Sequence, residues 1–275
     1  MATATPTVIG SVRSLWRYPV KSMLGEELDT AEVTERGLLG DRAYALVDAS
    51  DGKVASAKQP RKWAPLVTFQ ASYDHSPRLG EPLPHVRITL PDGTTVSHDA
   101  PDCHARLSRA CGREVTLQAA SLNTATVELY WPDVEGLVLR ETIRDFNLPE
   151  HTFFDLAPLH LLTTATLGRL GDLYPQGQFA VQRFRPNIVI EPTTDTRDFL
   201  ENAWVDRTLA IGATVRLHIT GGCYRCVMTT LPQADLPHDV TILRTIAQHN
   251  EAHAGVYATM LRGGTIRCSD EVRIE

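Results

Sequence analysis

A chain of 275 residues, 43% hydrophobic and 22% charged, is long enough to bury one or two full cores without metal or disulfide staples. Its net charge of -6 excludes a general attraction to nucleic acid or to an acidic membrane, so any anion site must be a local basic cluster. The 5 cysteines cannot all pair, which points to free thiols in a reducing compartment, and no apolar run reaches the ~18 residues of a membrane span.

In chain order, "MATATPTVIGSV" predicts a short disordered lead-in without the basic or apolar marks of a targeting segment. "VRSLWRYPV" (12–20) predicts a strand stopped by proline. Residues 42–57 predict a hairpin around Asp51-Gly52, and residues 85–98 a second around Asp92-Gly93. The turn-rich stretch 73–85 reads as a long hairpin loop or local linker. A capped helix is expected over 101–112, and further helices over 163–176 and 239–250. Strands are expected at 185–191, 208–222 and 256–275. The fold class is therefore mainly β (α+β), with barrel or sandwich sheets and a few covering helices. A sheet-rich first ~120 residues and a mixed remainder suggest two closely packed subdomains.

The motif that raises a chemical question is "GGCYRCVMTT" at 221–230. Cys223 and Cys226 have the spacing of a half zinc site, but Cys103 and Cys111 are eight apart, Cys268 is alone, and His253 lies past the predicted helix end from His249. A dithiol redox pair would open a helix, whereas this pair precedes a β-prone run broken by proline. The bland alternative is a buried thiol that only packs.

Basic residues gather where strands begin or end. Lys21 and Ser22 follow Pro19, Arg42 opens an apolar strand, and Arg183, Arg185 and Asn187 precede another. Lys58, Arg61 and Lys62 lie in "SAKQPRKW". Each alone could be a salt-bridged surface residue; together they suit an anionic group that needs charge-assisted donors. His160 and His238 lie near these segments, yet a lone histidine is more often structural, and no protein acid or base emerges.

"LWRYPVKSMLGEEL", "GDRAYALVD", "RFRPNIVIE" and "CYRCVMTT" occur in the order seen in MOSC-domain proteins with an N-terminal MOSC β-barrel, and from about residue 10 onward the chain resembles the amidoxime-reducing members of that family. The resemblance implies an N-terminal MOSC β-barrel domain over 10–120 and a MOSC domain over 121–275. It implies a molybdenum cofactor, a pterin dithiolene with a phosphate and one protein thiolate on the metal; pyridoxal phosphate is not expected.

By position, Cys226 corresponds to the metal ligand and catalytic centre. Lys21, Ser22 and Arg42 correspond to phosphate and pterin contacts, Arg185 and Asn187 to further pterin contacts, and Thr163 and Thr164 to a hydroxyl-bearing segment at a helix start. Arg225 would hold the neighbouring thiolate ionised. The implied activity is a two-electron reduction of small N-hydroxylated or N-oxygenated compounds, with a non-catalytic carrier of the cofactor or of activated sulfur as the alternative. Electrons would come from a separate ferredoxin, flavin reductase or cytochrome b5-like protein, because the chain ends at Glu275 without a ferredoxin domain. A cytoplasmic location, with no nucleic acid and no membrane partner, is expected. The sequence departs from the family after the threonine pair, where "LPQADLPHD" replaces a shorter turn, so substrate preference does not carry over.

Overall fold

The computed structural model describes residues 6–121 and 125–275. Seven strands close into a barrel. Around the ring they run Thr7–Arg17, Ile188–Pro192, Leu159–Thr163, His253–Arg262, Val215–Tyr224, Thr208–Ile211 and Glu271–Ile274, which returns to Thr7–Arg17. Only Leu159–Thr163 and Ile188–Pro192 pair in parallel. Closure removes the open edges that a free sheet would expose. Alternate residues of these strands, among them Leu15, Leu161, Ile190, Leu217 and Val256, fill the interior and are fully buried.

The lead-in expectation is corrected here. Residues 7–12 belong to the first barrel strand, because Val12 and Leu15 face the barrel core while the backbone pairs on both sides. Residues 1–5 lie outside the described residues. The predicted strand at 208–222 is a hairpin of two barrel strands, turned at Gly212 with φ 56°. The 42–57 hairpin forms its turn, but Tyr44–Asp48 takes Val115–Ala119 as its main partner and Val54 contributes single bridges only. The 85–98 hairpin forms as read, with Val86–Thr89 against Thr95–Ser97. Gln70–Tyr73 pairs with Val86–Thr89, which makes the stretch between them a hairpin loop.

All three predicted helices form. Cys103–Cys111 stops at Gly112 in the left-handed conformation. Thr164–Leu173 is capped by the Thr163 hydroxyl, and Val240–Asn250 by the Asp239 carboxylate.

A second core holds Val20, Met23, Leu46, Trp63, Phe69 and Ile88 from the first half of the chain. It also takes in Val227, Met228 and Leu231. These follow Cys226 directly, so the cysteine turn leaves the barrel strand Val215–Tyr224 and plugs into the other core. The functional segments thus meet at the seam between the two cores.

Candidate functional site

One cleft at this seam is lined by Lys21, Ser22, Arg42, Lys58, Asp155, Arg185, Asn187, Arg225 and both cysteines of the motif. Five cationic side chains face it against one lining carboxylate, in a chain whose overall charge is negative. Such a concentration attracts anions locally. Seven of the nine sequence-derived site residues are gathered here: Lys21, Ser22, Arg42, Arg185, Asn187, Arg225 and Cys226.

Thr163 and Thr164 are not. Thr163 is fully buried, accepts from Thr166 N at 3.0 Å and donates to Glu201 Oε2 at 2.7 Å. Its hydroxyl is consumed by capping and by a buried carboxyl whose pKa burial raises. Thr164 lines a separate hollow beside Glu191 and Arg197. Arg61 and Lys62 form peripheral ion pairs with Glu141 and Glu128, and exposed His238 is outside the lining.

The backbone is strained at three cleft residues. Ser22, Arg42 and Arg185 have φ of 67°, 47° and 55°, a region that non-glycine residues seldom occupy and that recurs at ligand sites. For Arg185 the cause is visible: it ends the Val181–Phe184 helical turn in the left-handed conformation, with its N–H on Val181 O. Ser22 Oγ then accepts from Ala57 N at 3.1 Å.

Buried Asp41, to which no role was assigned from sequence, organises the arginine side. Its carboxylate accepts from Tyr18 N at 2.7 Å, from Asn187 Nδ2 at 3.0 Å and from the Arg42 guanidinium. The guanidinium carbons of Arg42 and Arg185 stand 4.4 and 4.2 Å from the Tyr18 ring centroid. Burial, then the neighbouring Arg42 charge, lowers the Arg185 pKa to about 10, still charged at neutral pH.

On the lysine side, Lys21 Nζ donates to Phe153 O at 2.7 Å and to Asp155 Oδ1 at 2.8 Å, and Lys58 Nζ pairs with Asp155 Oδ2 at 3.1 Å. Burial pulls the Lys21 pKa down, only partly offset by Asp155. For Lys58, burial also pulls down, but Asp155 and Cys226 outweigh it and the net direction is up. Burial would raise the Asp155 pKa, yet the two lysines carry it well below the usual carboxylate range. From sequence, Lys58 stands only as one of several basic candidates for an anionic group, and Asp155 has no role. The former stood in a basic run, whereas nothing in "FFDLAP" signals a charge partner.

The cysteines differ. Cys223 lies within the barrel strand and is buried; Cys226 is half-buried and precedes the Val227–Thr230 turn. Arg225 Nη1 donates to Cys223 Sγ at 2.7 Å and Nη2 to Phe184 O at 2.7 Å. The hydrogen bond of Arg225 goes to Cys223, two residues back on the same face, while its charge still interacts with that of neighbouring Cys226. Arg225 Nε is buried with no acceptor. His160 Nε2 lies 3.1 Å from Ala254 O, which fixes it as the donor; burial and the Arg225 charge push its pKa down to about 3, so it is neutral at neutral pH.

A tetrahedral zinc site would need two further ligands beside the cysteines. Among the described residues the single cluster of three possible ligands is His85, His98 and Asp99, on the sheet that includes Val86–Thr89. Nor does the pair open an α-helix as a dithiol site would: Cys223 lies inside a strand, and Cys226 precedes only the short turn Val227–Thr230.

These features fit a group that carries both a phosphate and a soft metal. A half-buried thiol supplies the soft ligand, the cation array suits the phosphate, and an orphaned guanidinium N–H adds a donor lacking an acceptor.

The MOSC N-terminal beta barrel domain family matches residues 9–128 and the MOSC domain family residues 149–273. The chain is a MOSC-domain protein. It is 28% identical over 235 residues to mitochondrial amidoxime reducing component 2 of Macaca fascicularis, covering 81% of this chain and 67% of that one. It is 26% identical over 290 residues to human mitochondrial amidoxime-reducing component 1, covering 96% and 82%. Among solved structures, the YUAD protein from Bacillus subtilis aligns over 98% of both chains with 10% identity and a TM-score of 0.49.

Proposed function

We propose that this MOSC protein binds molybdenum cofactor and reduces N-hydroxylated compounds, with Cys226 as the metal ligand. The observation that carries the reading is the half-buried Cys226 sharing one cleft with five cationic side chains. In the balanced reaction, an N–OH group takes two electrons and two protons, the N–O bond breaks, and an N–H group and water form. The bound cofactor would supply the two-electron chemistry at its metal.

The chain's own residues would hold and orient it. Lys21, Lys58 and Arg42 supply donors for the phosphate, and Asn187 and Arg185 line the neighbouring wall. Asp155 screens the lysines until an anion competes for them. A separate electron-donor protein is part of the proposal, supported by the kinship to amidoxime reducing components. A reducing, cytoplasmic setting is part of it too, supported by five free cysteines.

The carrier reading draws on a different observation. His160, which lines the cleft, stays neutral down to about pH 3, and Asp155 is locked in ion pairs, so neither is free to deliver a proton near neutral pH.

The deciding experiment isolates the protein from a molybdenum-replete host and measures metal, oxidised-pterin fluorescence and amidoxime reduction with an artificial donor. About one molybdenum per chain with turnover is expected. Molybdenum and pterin without turnover would select the carrier, and zinc without pterin would remove both readings.

A further inference from the structure

Beside the cationic cleft lies a groove of about 580 Å3, in the range of small-molecule sites. The two hollows share Arg42, Phe154, Leu156 and Ala157 as a common wall. A cofactor seated in the cleft would leave the body of a reduced molecule to lie outside it. The adjoining groove is the continuous space that could take one.

We propose that this groove is the substrate-body subsite, and that it selects ligands with an apolar, non-anionic body whose nitrogen–oxygen head reaches over the shared wall towards Cys226. The identity of the head rests on the reductase reading above. The selectivity of the body does not. It follows from the lining: Leu38, Leu39, Leu83, Ala120 and Pro158 make the surface predominantly apolar.

Leu156 stands at the junction with 69% of its surface exposed, a large apolar side chain that a ligand would cover. Two exposed carboxylates, Glu81 and Glu150, outnumber the exposed Arg36 along the same lining. Asp41 and Arg42 cancel each other by pairing. The groove's own exposed charge is therefore net negative, which opposes an anionic body lodged there and not a neutral or cationic one. The 73–85 loop supplies Glu81 and Leu83, so a segment of the first half of the chain sets specificity for a reaction centred on a cysteine of the second.

The test is calorimetric binding of benzamidoxime and 4-carboxybenzamidoxime to the protein as isolated. Wild type should bind benzamidoxime saturably at one site and the carboxylate severalfold more weakly. Ala119→Trp fills the groove from an exposed position at a strand end, and should weaken benzamidoxime at least tenfold. Leu156→Asp, also at an exposed position, gives the same decision should the tryptophan variant lose its native circular dichroism.

Glu81→Gln with Glu150→Gln should close the gap between the two ligands. Absence of saturable wild-type binding, or unchanged affinity in natively folded groove variants, overturns the proposal. Failure of the reductase reading looks different: the amidoxime binds in the groove, but molybdenum-loaded protein supplied with reductant does not consume it.

Discussion

Arg225 and Cys223 are bonded to each other, Nη1 to Sγ at 2.7 Å, and this separates the two motif cysteines into different tasks. Cys223 holds the guanidinium that crosses the cleft to Phe184 O, while Cys226 is left for a ligand. The charge of Arg225 is disfavoured by burial but sustained by Cys223, Tyr257 and Cys226, so its pKa moves up.

Cys223→Ala removes an acceptor from a buried cation and should cost about 1–3 kcal/mol of stability, whereas Cys223→Ser keeps an acceptor and should cost less. Cys226→Ser should unfold at the wild-type urea midpoint and lose bound molybdenum and turnover. Urea titration and metal content on the same preparations check this. Equal loss of metal in both serine variants would mean that the two thiols act as a pair.

The lysine side predicts opposite effects from neighbouring substitutions. Lys21→Ala removes a donor worth on the order of 1.5–3 kcal/mol towards an anion and should weaken cofactor retention roughly tenfold or more. Arg42→Ala should do the same. Asp155→Asn removes the internal competitor for Lys21 and Lys58 and should tighten retention. Pterin occupancy under limiting cofactor is the measurement, and weaker retention in Asp155→Asn would show that the carboxylate aids binding.

His160 makes stability depend on pH. Its folded-state pKa, about 3, lies below the ordinary histidine value near 6.5, so the unfolded chain binds a proton that the native protein excludes. Stability from this source is complete above about pH 6.5 and declines as pH falls towards 3, with a limiting slope of about 1.4 kcal/mol per pH unit. The depressed Asp155 pKa acts the same way in a lower window: its contribution is present above the unfolded carboxylate value of about 3.9 and is lost below it. Unfolding free energies in urea between pH 4.5 and 7 should show the histidine slope, and His160→Gln should flatten it.

Arg183 is fully buried and makes no direct ion pair among the described residues; it donates to the carbonyls of Gln178, Thr229, Leu231 and Pro237. It ties down the turn that follows Cys226. Arg183→Met strands four acceptors and should cost at least ~3 kcal/mol. Arg183→Lys should recover only part, since an ammonium cannot match the guanidinium fork. The thermal midpoint reads the cost, and molybdenum retention by the folded fraction reads the effect on Cys226.

Local signals make much of this protein legible in its amino-acid sequence. Asp92-Gly93 fixes a hairpin, Gly112 ends a helix, and alternation in 208–222 marks barrel strands, because turns, caps and strand faces are set by residues close in the chain. The ordered motifs around Lys21, Arg42, Arg185 and Cys226 mark the candidate site through the family resemblance they carry.

What only the tertiary structure decided was pairing across distance. Asp41 and Asp155 carry no local signature, and they matter through partners such as Asn187 and Lys21, 146 and 134 residues away. Thr163 reads as a ligand hydroxyl until Glu201 occupies it. Arg183 and Arg185 are two residues apart, yet one binds the cysteine turn and the other lines the cleft, because the chain between them passes from a helical turn into the left-handed conformation. Residues 7–12 look like a tail because their hydrogen-bond partners, Glu271–Ile274 and Ile188–Pro192, lie more than 170 positions further on, and only closure of the barrel brings them together.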